Sequence, residues 1–381
     1  MNMSQTTNQL PAPDTLSALI LTFTALSGEL PAALIRRLPG SGSYVEYAVK
    51  RLKRDNLLRT FYRDGLRGLR LTAAAKKLLL TAYPYRFSPY LTGHIETNEL
   101  KGEITRRLRL HRMAEVLLTM YNAGVSSFPW EKPAVFQPKP PPPDLSFERP
   151  AYFTSREVKE IGPQAAKIRG SRAAGVLLVD GGIFMIYNTG ASRMRWEYKA
   201  ELRLKALLQM ELCRYRLPAQ FMDAGLSAIV FGSDMDGLAH LMGPGDSRTR
   251  NYFVLDGSIE HFYYLTSDHH GEVLLQLLCE PALQAALDDL LLEDLCESQP
   301  GPVENDAVDK SGKPILFGYT CDMPRIRRFD TALELHGQEG LIFCFDFQEE
   351  ILRRVCGSRV AFQSIDFSAF ERSVSPYLAN N

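Results

Sequence analysis

The sequence predicts a multidomain protein of the α+β and α/β classes, and two observations divide it the same way. Before a proline-rich segment at Pro129–Pro150 the chain reads mostly as helices with one hairpin; after it, strand and helix patterns alternate. Residues 1–125 carry 18 Lys+Arg against 9 Asp+Glu, a net of +9, and the remainder carries 26 against 35, a net of −9. A formal charge of zero therefore conceals a basic N-terminal part, the pattern expected when one part of a protein meets a polyanion. With 381 residues and 45% hydrophobic content the chain can bury two or three cores. The six cysteines are scattered without a C-x-x-C pair and read as small buried hydrophobes in a reducing compartment. The start "MNMSQTTNQLPAPD" lacks the layout of a signal peptide, and the apolar run Leu16–Leu26 is too short to span a bilayer. A cytoplasmic protein without a membrane partner is the expectation.

Residues 14–85 parse as helix, helix, helix, hairpin, helix. Asp14 is placed to cap a first helix that Gly28 ends, and Leu30 to Leu38 form a short second one closed by "PGSG". The third lies in "SYVEYAVKRLKRDNLLR", Ser43 to Arg59, where Ser43 and Glu46 have capping-box spacing. Val45, Val49 and Leu52 recur at helical spacing as its inward stripe. Tyr44, Tyr47, Arg51 and Arg54 line the other side, flanked by Lys50 and Lys53. Asp64-Gly65 then marks a turn between two β-prone runs that carry Arg59, Arg63, Arg67 and Arg70. Three helices followed by a basic hairpin resemble a winged helix-turn-helix. Its third helix would enter the major groove of double-stranded DNA, with the hairpin arginines against phosphates or the minor groove. Ser43, Tyr44, Tyr47, Lys50, Arg51, Arg54, Arg59, Arg63, Arg67 and Arg70 are the DNA-binding candidates; the bland alternative is a solvated helix face.

Residues 86–128 read as a helical extension. Within it Arg106, Arg107, Arg109 and Arg112 either extend the phosphate-contacting surface or pair with acids of the second half, and His111 reads as structural. The segment 129–150 reads as a stiff, extended connector. An α/β domain follows over 151–297, with "AAGVLLV" and "GIFMIYN" as strands, "RWEYKAELRLKALLQMEL" as a helix and "LSAIVFGS" as a strand. After an exposed boundary at Ser298–Pro314, a further α/β portion over 298–381 contains "PILFGYT", "MPRIRRFDTALEL" and "GLIFCFDF".

A helix with a glutamate, a two-stranded hairpin and another helix resemble the opening of the restriction-endonuclease-like fold. Active members of that fold hold a divalent metal on strand carboxylates. Here the first strand offers Ala173, Ala174 and Val176, and the second Tyr187 and Thr189, so no carboxylate pair remains for a magnesium ion. The basic helical region, the connector, "SREVKEI", "SRAAGVL", "IYNTGASRMRW" and "GLIFCFDFQ" together resemble the replication-relaxation type proteins of plasmids and integrative conjugative elements of Gram-positive bacteria. That resemblance implies a DNA-associated accessory role in replication or transfer, with a winged helix, a degenerate nuclease-like domain and other replication or transfer proteins as partners. Neither a cofactor nor catalysis is expected. The alternatives are a metal-dependent nuclease using Glu157, Asp180 and Glu201, and an interaction module whose winged helix binds protein.

Acidic stretches offer little more. "SDMDG" (Ser233–Gly237) and "SDHHGE" (Ser267–Glu272) match no standard metal loop, and His269, His270 and Glu272 read as part of a turn. Asp322 and Asp346 stand at strand ends, the usual place of a ligand crevice in α/β sheets. Leu274–Cys296 reads as two helices broken at Pro281, with a partner or homodimer surface as its functional alternative.

Overall fold

The computed structural model describes residues 9–142, 145–147, 149–243, 252–298 and 300–378. Residues 1–8, together with Pro143, Asp144, Glu148 and Gln299 of the two predicted connecting segments, lie outside them. Helices and several sheets form two units, one running to Asn122 and including Phe128–Glu131, the other holding Ala123–Ser127 and everything from Lys132.

In the first unit α1 spans Leu16–Ser27 and ends at Gly28, whose φ of 78° a residue with a side chain rarely adopts. Thr15 rather than Asp14 caps it, accepting from the Ala18 amide at 3.3 Å. The predicted second helix is instead a two-residue strand, β1 (Leu30–Pro31), and a 3-10 turn over Ala32–Arg37. Leu30 is fully buried and Pro31 is extended, so the backbone there pairs with a neighbouring strand. α2 covers Gly42–Arg54 from an N-cap at Ser41; Ser43 falls inside the first turn, and Glu46 faces Lys50 instead of closing a capping box. β2 (Leu58–Arg63) and β3 (Leu66–Leu71) form an antiparallel hairpin closed by Asp64 and Gly65 at φ of 51° and 76°, the type I′ geometry. β3 lies between β1 and β2. Helices α3 (Ala73–Ala82), α4 (Pro84–Leu91) and α5 (Ile104–Asn122) complete the unit.

Strand pairing sorts the hairpin side chains into two faces. Leu58, Thr60 and Tyr62 share one with Leu71, Leu69 and Arg67; Arg59, Phe61 and Arg63 share the other with Arg70, Gly68 and Leu66. On the first, Leu58, Leu69 and Leu71 are buried, as are Val45, Val49 and Leu52 of α2, which packs against β2. The second closes over a buried ionic cluster. Glu29, with no exposed surface, receives Arg70 Nε at 2.7 Å, Arg107 Nη2 at 2.6 Å and His111 Nε2 at 2.8 Å. Arg107 from α5 also donates to the carbonyls of Arg63 at 2.7 Å and Leu66 at 3.0 Å. A Cβ at Gly68 would overlap the Glu29 carboxylate, so the carboxylate fits only over a glycine. The Arg70 and Arg107 guanidiniums stack on Phe61, 3.7 and 4.8 Å from its ring centre.

The second unit contains two five-stranded sheets. In one, β4 (Ala151–Thr154), β5 (Gly175–Val179) and β6 (Gly182–Gly190) are antiparallel, and β7 (Leu226–Gly232) and β8 (Phe262–Thr266) continue parallel to β6. A four-residue helix α6 (Ser155–Val158) follows β4; α7 (Tyr198–Leu208), extended as a π-helix over Gln209–Arg216, leads from β6 towards β7 through a short α8 (Pro218–Phe221), and α9 (Asp236–Met242) follows β7. Beyond β8 come α10 (His269–Cys279) and α11 (Pro281–Leu292), broken at Pro281 as the sequence predicts; α10 is almost wholly buried, while α11 leaves Leu290 exposed. The second sheet runs β13-β12-β11-β10-β9. Its members are β9 (Cys296–Glu297), β10 (Ala307–Val308), β11 (Pro314–Phe317), β12 (Gly340–Phe345) and β13 (Val360–Ile365). α12 (Met323–His336) and α13 (Asp346–Val355) connect its three parallel strands, and α14 (Phe367–Leu378) ends the fold. The sheets meet where Tyr263 of β8 bridges to Asp322 and the Tyr264 amide donates to the Cys321 carbonyl at 3.1 Å, with Cys321 in the left-handed conformation. One hydrophobic cluster spans both, from Val176 and Trp196 to Phe329 and Ile342, so the predicted 151–297 and 298–381 portions form one unit.

Two expectations change here. The 129–150 connector is partly packed: Phe136 meets Phe153 edge-on at 5.1 Å, and Arg216 donates to the carbonyls of Val135 and Gln137 at 2.8 and 2.6 Å. The apolar residues set among its prolines give it something to bury. Among the cysteines, Cys296 is exposed.

The Glu29 cluster gives two expectations for the first unit. Burial alone would raise the Glu29 pKa, but hydrogen bonds from His111, Arg107 and Arg70 bring it from 4.5 down to about 2. Its stabilisation is therefore present above about 4.5 and is lost as pH falls towards 2. Trp130, which stacks on Phe128 in the first unit, reports the transition once Trp196→Phe silences the second. Glu29→Gln should lower that unit's stability by about 3–5 kcal/mol at neutral pH and flatten the acid limb. In the second unit His269 is raised to about 9 by its hydrogen bond to Glu272, with Glu371 of α14 adding to the effect. Its stabilisation is full below 6.5 and is lost as pH rises through about 9. Thermal melts should accordingly find His269→Gln less stable than the parent in mildly acidic buffer and equal to it in strongly alkaline buffer.

Candidate nucleic-acid interface

α2 buries Val45, Ala48, Val49 and Leu52, and that stripe turns its basic residues outward. Tyr44 and Tyr47 are 53% and 56% exposed, and Ser43, Lys50, Arg51 and Arg54 are exposed with them. Among the described residues the cations pair with acids of their own helix or its C-cap: Lys50 with Glu46 at 3.8 Å, Arg51 with Asp55 at 3.6 Å and Arg54 with Asp55 at 3.5 Å. Exposed pairs of this kind are worth about 0–1 kcal/mol and are readily exchanged for another anion.

The hairpin arginines do not share one surface. Arg67 lies on the α2 side with Tyr62, its cross-strand partner, which is 69% exposed. Burial and the Arg67 charge both hold the Lys53 amine below its usual range, which places the hairpin tip beside the end of α2. The sequence reading missed Tyr62; strand alternation is the signal that pairs it with Arg67. Arg59 and Arg63 point from the opposite face. Lys76 of α3 is lowered by burial and by the Arg59 charge, and Arg63 abuts Gly102. Arg70, 3% exposed and bound to Glu29, is withdrawn from any surface. Nor does α5 extend the basic face as one set. Arg107 is buried, and Arg106 and Arg109 pair with Glu103 and Glu96 of the same unit.

In the second unit the singled-out acids have separate structural employments. Glu157 closes the capping box of α6 with Thr154 and pairs with Lys132 at 3.0 Å. Asp180 sits in the exposed β5–β6 turn. Glu201 is buried beneath the 171–172 loop, accepting from Ser171 Oγ at 2.8 Å, the Arg172 amide at 2.5 Å and Tyr187 Oη at 2.9 Å. Tyr187 and Thr189 occupy β6 where strand carboxylates would be wanted, and both are buried. Among the described residues no three His, Cys, Asp or Glu side chains are grouped as metal ligands. "SDHHGE" is a helix start, with Asp268 capping Gly271 of α10 and His270 stacked 4.1 Å from Phe347. Asp322 does line a cavity of about 380 Å³ beyond β11, beside His261, Asp288 and Arg325. Its polar groups are engaged with one another: His261 Nδ1 lies 2.7 Å from Asp322, Arg325 binds Glu304 and Asp306 at 2.7 and 2.5 Å, and Tyr319 Oη donates to Asp288 at 2.6 Å. Asp346 opens α13.

No family model matches the chain, and no curated protein or solved structure matches it. Among the described residues no helix is long and apolar enough to cross a membrane.

The placement of Arg67 beside α2 is testable by competitive acylation read by mass spectrometry. Lys53, its amine held low, should label faster than Lys50 in mildly alkaline buffer, and Arg67→Ala should slow it. A Lys53 rate indifferent to that substitution would place the hairpin tip elsewhere.

Proposed function

We propose that this is a cytoplasmic, non-catalytic DNA-binding protein that holds duplex DNA through an N-terminal winged helix, with α2 as the recognition helix and Arg67 and Tyr62 as the wing tip. The order α1, β1, 3-10 turn, α2, β2, β3, with β3 central in an antiparallel sheet, supports the winged-helix reading. The observation that carries it is the aromatic and basic face of α2: its apolar stripe is spent on the core, and its cations are only loosely paired. A helix presenting Tyr44, Tyr47, Lys50, Arg51 and Arg54 suits a major groove about 12 Å wide, where arginine can bond guanine edges and lysine or tyrosine can contact phosphate oxygens.

For the second unit, a three-stranded antiparallel stretch joined through α7 to a parallel strand supports a restriction-endonuclease-like layout. Tyr187, Thr189 and Glu201, bound into the core, support a non-catalytic one. A role in replication, transfer or transcriptional control of a plasmid or conjugative element is the biological setting we propose.

Titrating a duplex over a salt series tests the assignment. Arg51→Ala/Arg54→Ala should weaken binding and reduce the salt slope by roughly 0.9 per phosphate contact removed. Arg59→Ala/Arg63→Ala, on the far face of the hairpin, should do distinctly less. Full affinity with an unchanged slope in the α2 variant would falsify the role of this helix, and failure of the parent to bind any duplex at low salt would favour a protein-binding winged helix.

A further inference from the structure

The part of the chain from residue 126 onward is acidic by 9 charges, yet its stretch from Gly162 to Leu208 holds eight Lys+Arg against three Asp+Glu. Of those three acids, Glu201 is buried and Asp180 sits at the far turn of the β5–β6 hairpin, leaving Glu197 as the exposed carboxylate next to α7. Two packed segments carry the positive charge. One is the 3-10 turn over Pro163–Ile168 and the loop after it, with Lys167, Arg169 and Arg172 exposed. The other is α7, with Lys199 and Arg203 exposed. Glu201 joins them, since it receives Ser171 Oγ at 2.8 Å and the Arg172 amide at 2.5 Å, and a Cβ at Gly170 would stand 3.8 Å from that of Ala200. Among the described residues none of the five cations is in an ion pair. Glu197, beside Gly170, and Glu201, whose charge acts on Arg172, leave the five cations in excess, and an anion supplied from outside relieves the repulsion among them.

We propose that the second unit carries a polyanion-binding face of its own, formed by the 167–172 loop and the outer side of α7, which takes the phosphate backbone of duplex DNA. A repeating polyanion suits five cations spread over a loop and about one helical turn better than a single small anion does, because the five stand side by side on two segments. An anionic bilayer is the competing occupant, since α7 leaves Tyr198 and Leu202 exposed beside its cations while Ala200, Leu204, Leu207 and Leu208 are spent on the core. So short an apolar stripe suits a bilayer less than the phosphate backbone suits the cations, and vesicle binding separates the two. In this arrangement Glu201 is a positioning residue that holds the loop cations beside Lys199 and Arg203. The inference concerns a different surface from α2 and does not require α2 to bind DNA.

The test uses the full chain and a short random-sequence duplex, with Lys199→Ala/Arg203→Ala scored against the parent separately from Arg51→Ala/Arg54→Ala. The α7 pair should lower affinity about tenfold per lost contact near ~0.1 M salt and reduce the salt slope by roughly 0.9 each, with the melting midpoint unchanged. In a chain already carrying the α2 substitutions, the α7 pair should remove the residual low-salt binding. An unchanged affinity and slope in the α7 variant overturns the proposal whatever the α2 variant does. So does loss of binding to phosphatidylserine vesicles with duplex binding intact, and a parent that binds no duplex overturns both readings. Loss of slope in the α7 variant beside an unaffected α2 variant would leave this face standing and remove the other.

Discussion

A single buried carboxylate organises the basic unit. Glu29 follows the residue that ends α1, and through Arg70 and Arg107 it ties the central strand of the small sheet to the long helix α5. Removing an ionised carboxylate from water is costly, and only a full set of charged hydrogen-bond donors offsets it. Arg70, Arg107 and His111 supply that set. Arg107 also uses donors on the Arg63 and Leu66 carbonyls, so one guanidinium fixes both the acid and the hairpin above it. Gly68 is part of the same constraint, because any side chain there would occupy the carboxylate's space.

The candidate interface inherits its shape from this cluster. With one hairpin face committed to Glu29 and α5, the residues of the other face are those free to stand beside α2, and they are Tyr62 and Arg67. Lys53 registers the arrangement electrostatically, its ammonium disfavoured by burial and by Arg67. A surface of loosely paired cations near one another is maintained because the core under α2 and the ionic cluster under the hairpin leave the chain no better placement.

The second unit follows a different economy of charge. Its carboxylates are mostly engaged, as caps at Asp268 and Glu157, as partners of Arg325 at Glu304 and Asp306, and as a buried peg at Glu201. Tyr187 sits buried on β6 with its hydroxyl on Glu201, so this strand position carries packing and a hydrogen bond. The same peg holds the 171–172 loop against α7 and brings positive charge together in an otherwise acidic unit.

Features with a local cause were legible in the sequence. The apolar spacing of Val45, Val49 and Leu52 set the inward side of α2, Asp64-Gly65 set the hairpin, and Pro281 broke the α10–α11 pair, since each acts on neighbours a few residues away. Helix starts were less legible: Thr15 and Ser41 stand where Asp14 and Ser43 were expected, because several adjacent polar residues can satisfy the same amides. What the tertiary structure alone decided was which arginines face solvent. Arg70 and Arg67 are three residues apart and alike in the sequence, yet one is buried and the other exposed. The difference comes from strand alternation together with a glutamate 41 residues from Arg70, a partner that no local pattern reveals. Likewise Trp130, Val135 and Phe136 turned a segment that composition marked as a free connector into partly packed chain, because apolar side chains bury wherever the fold offers them a surface.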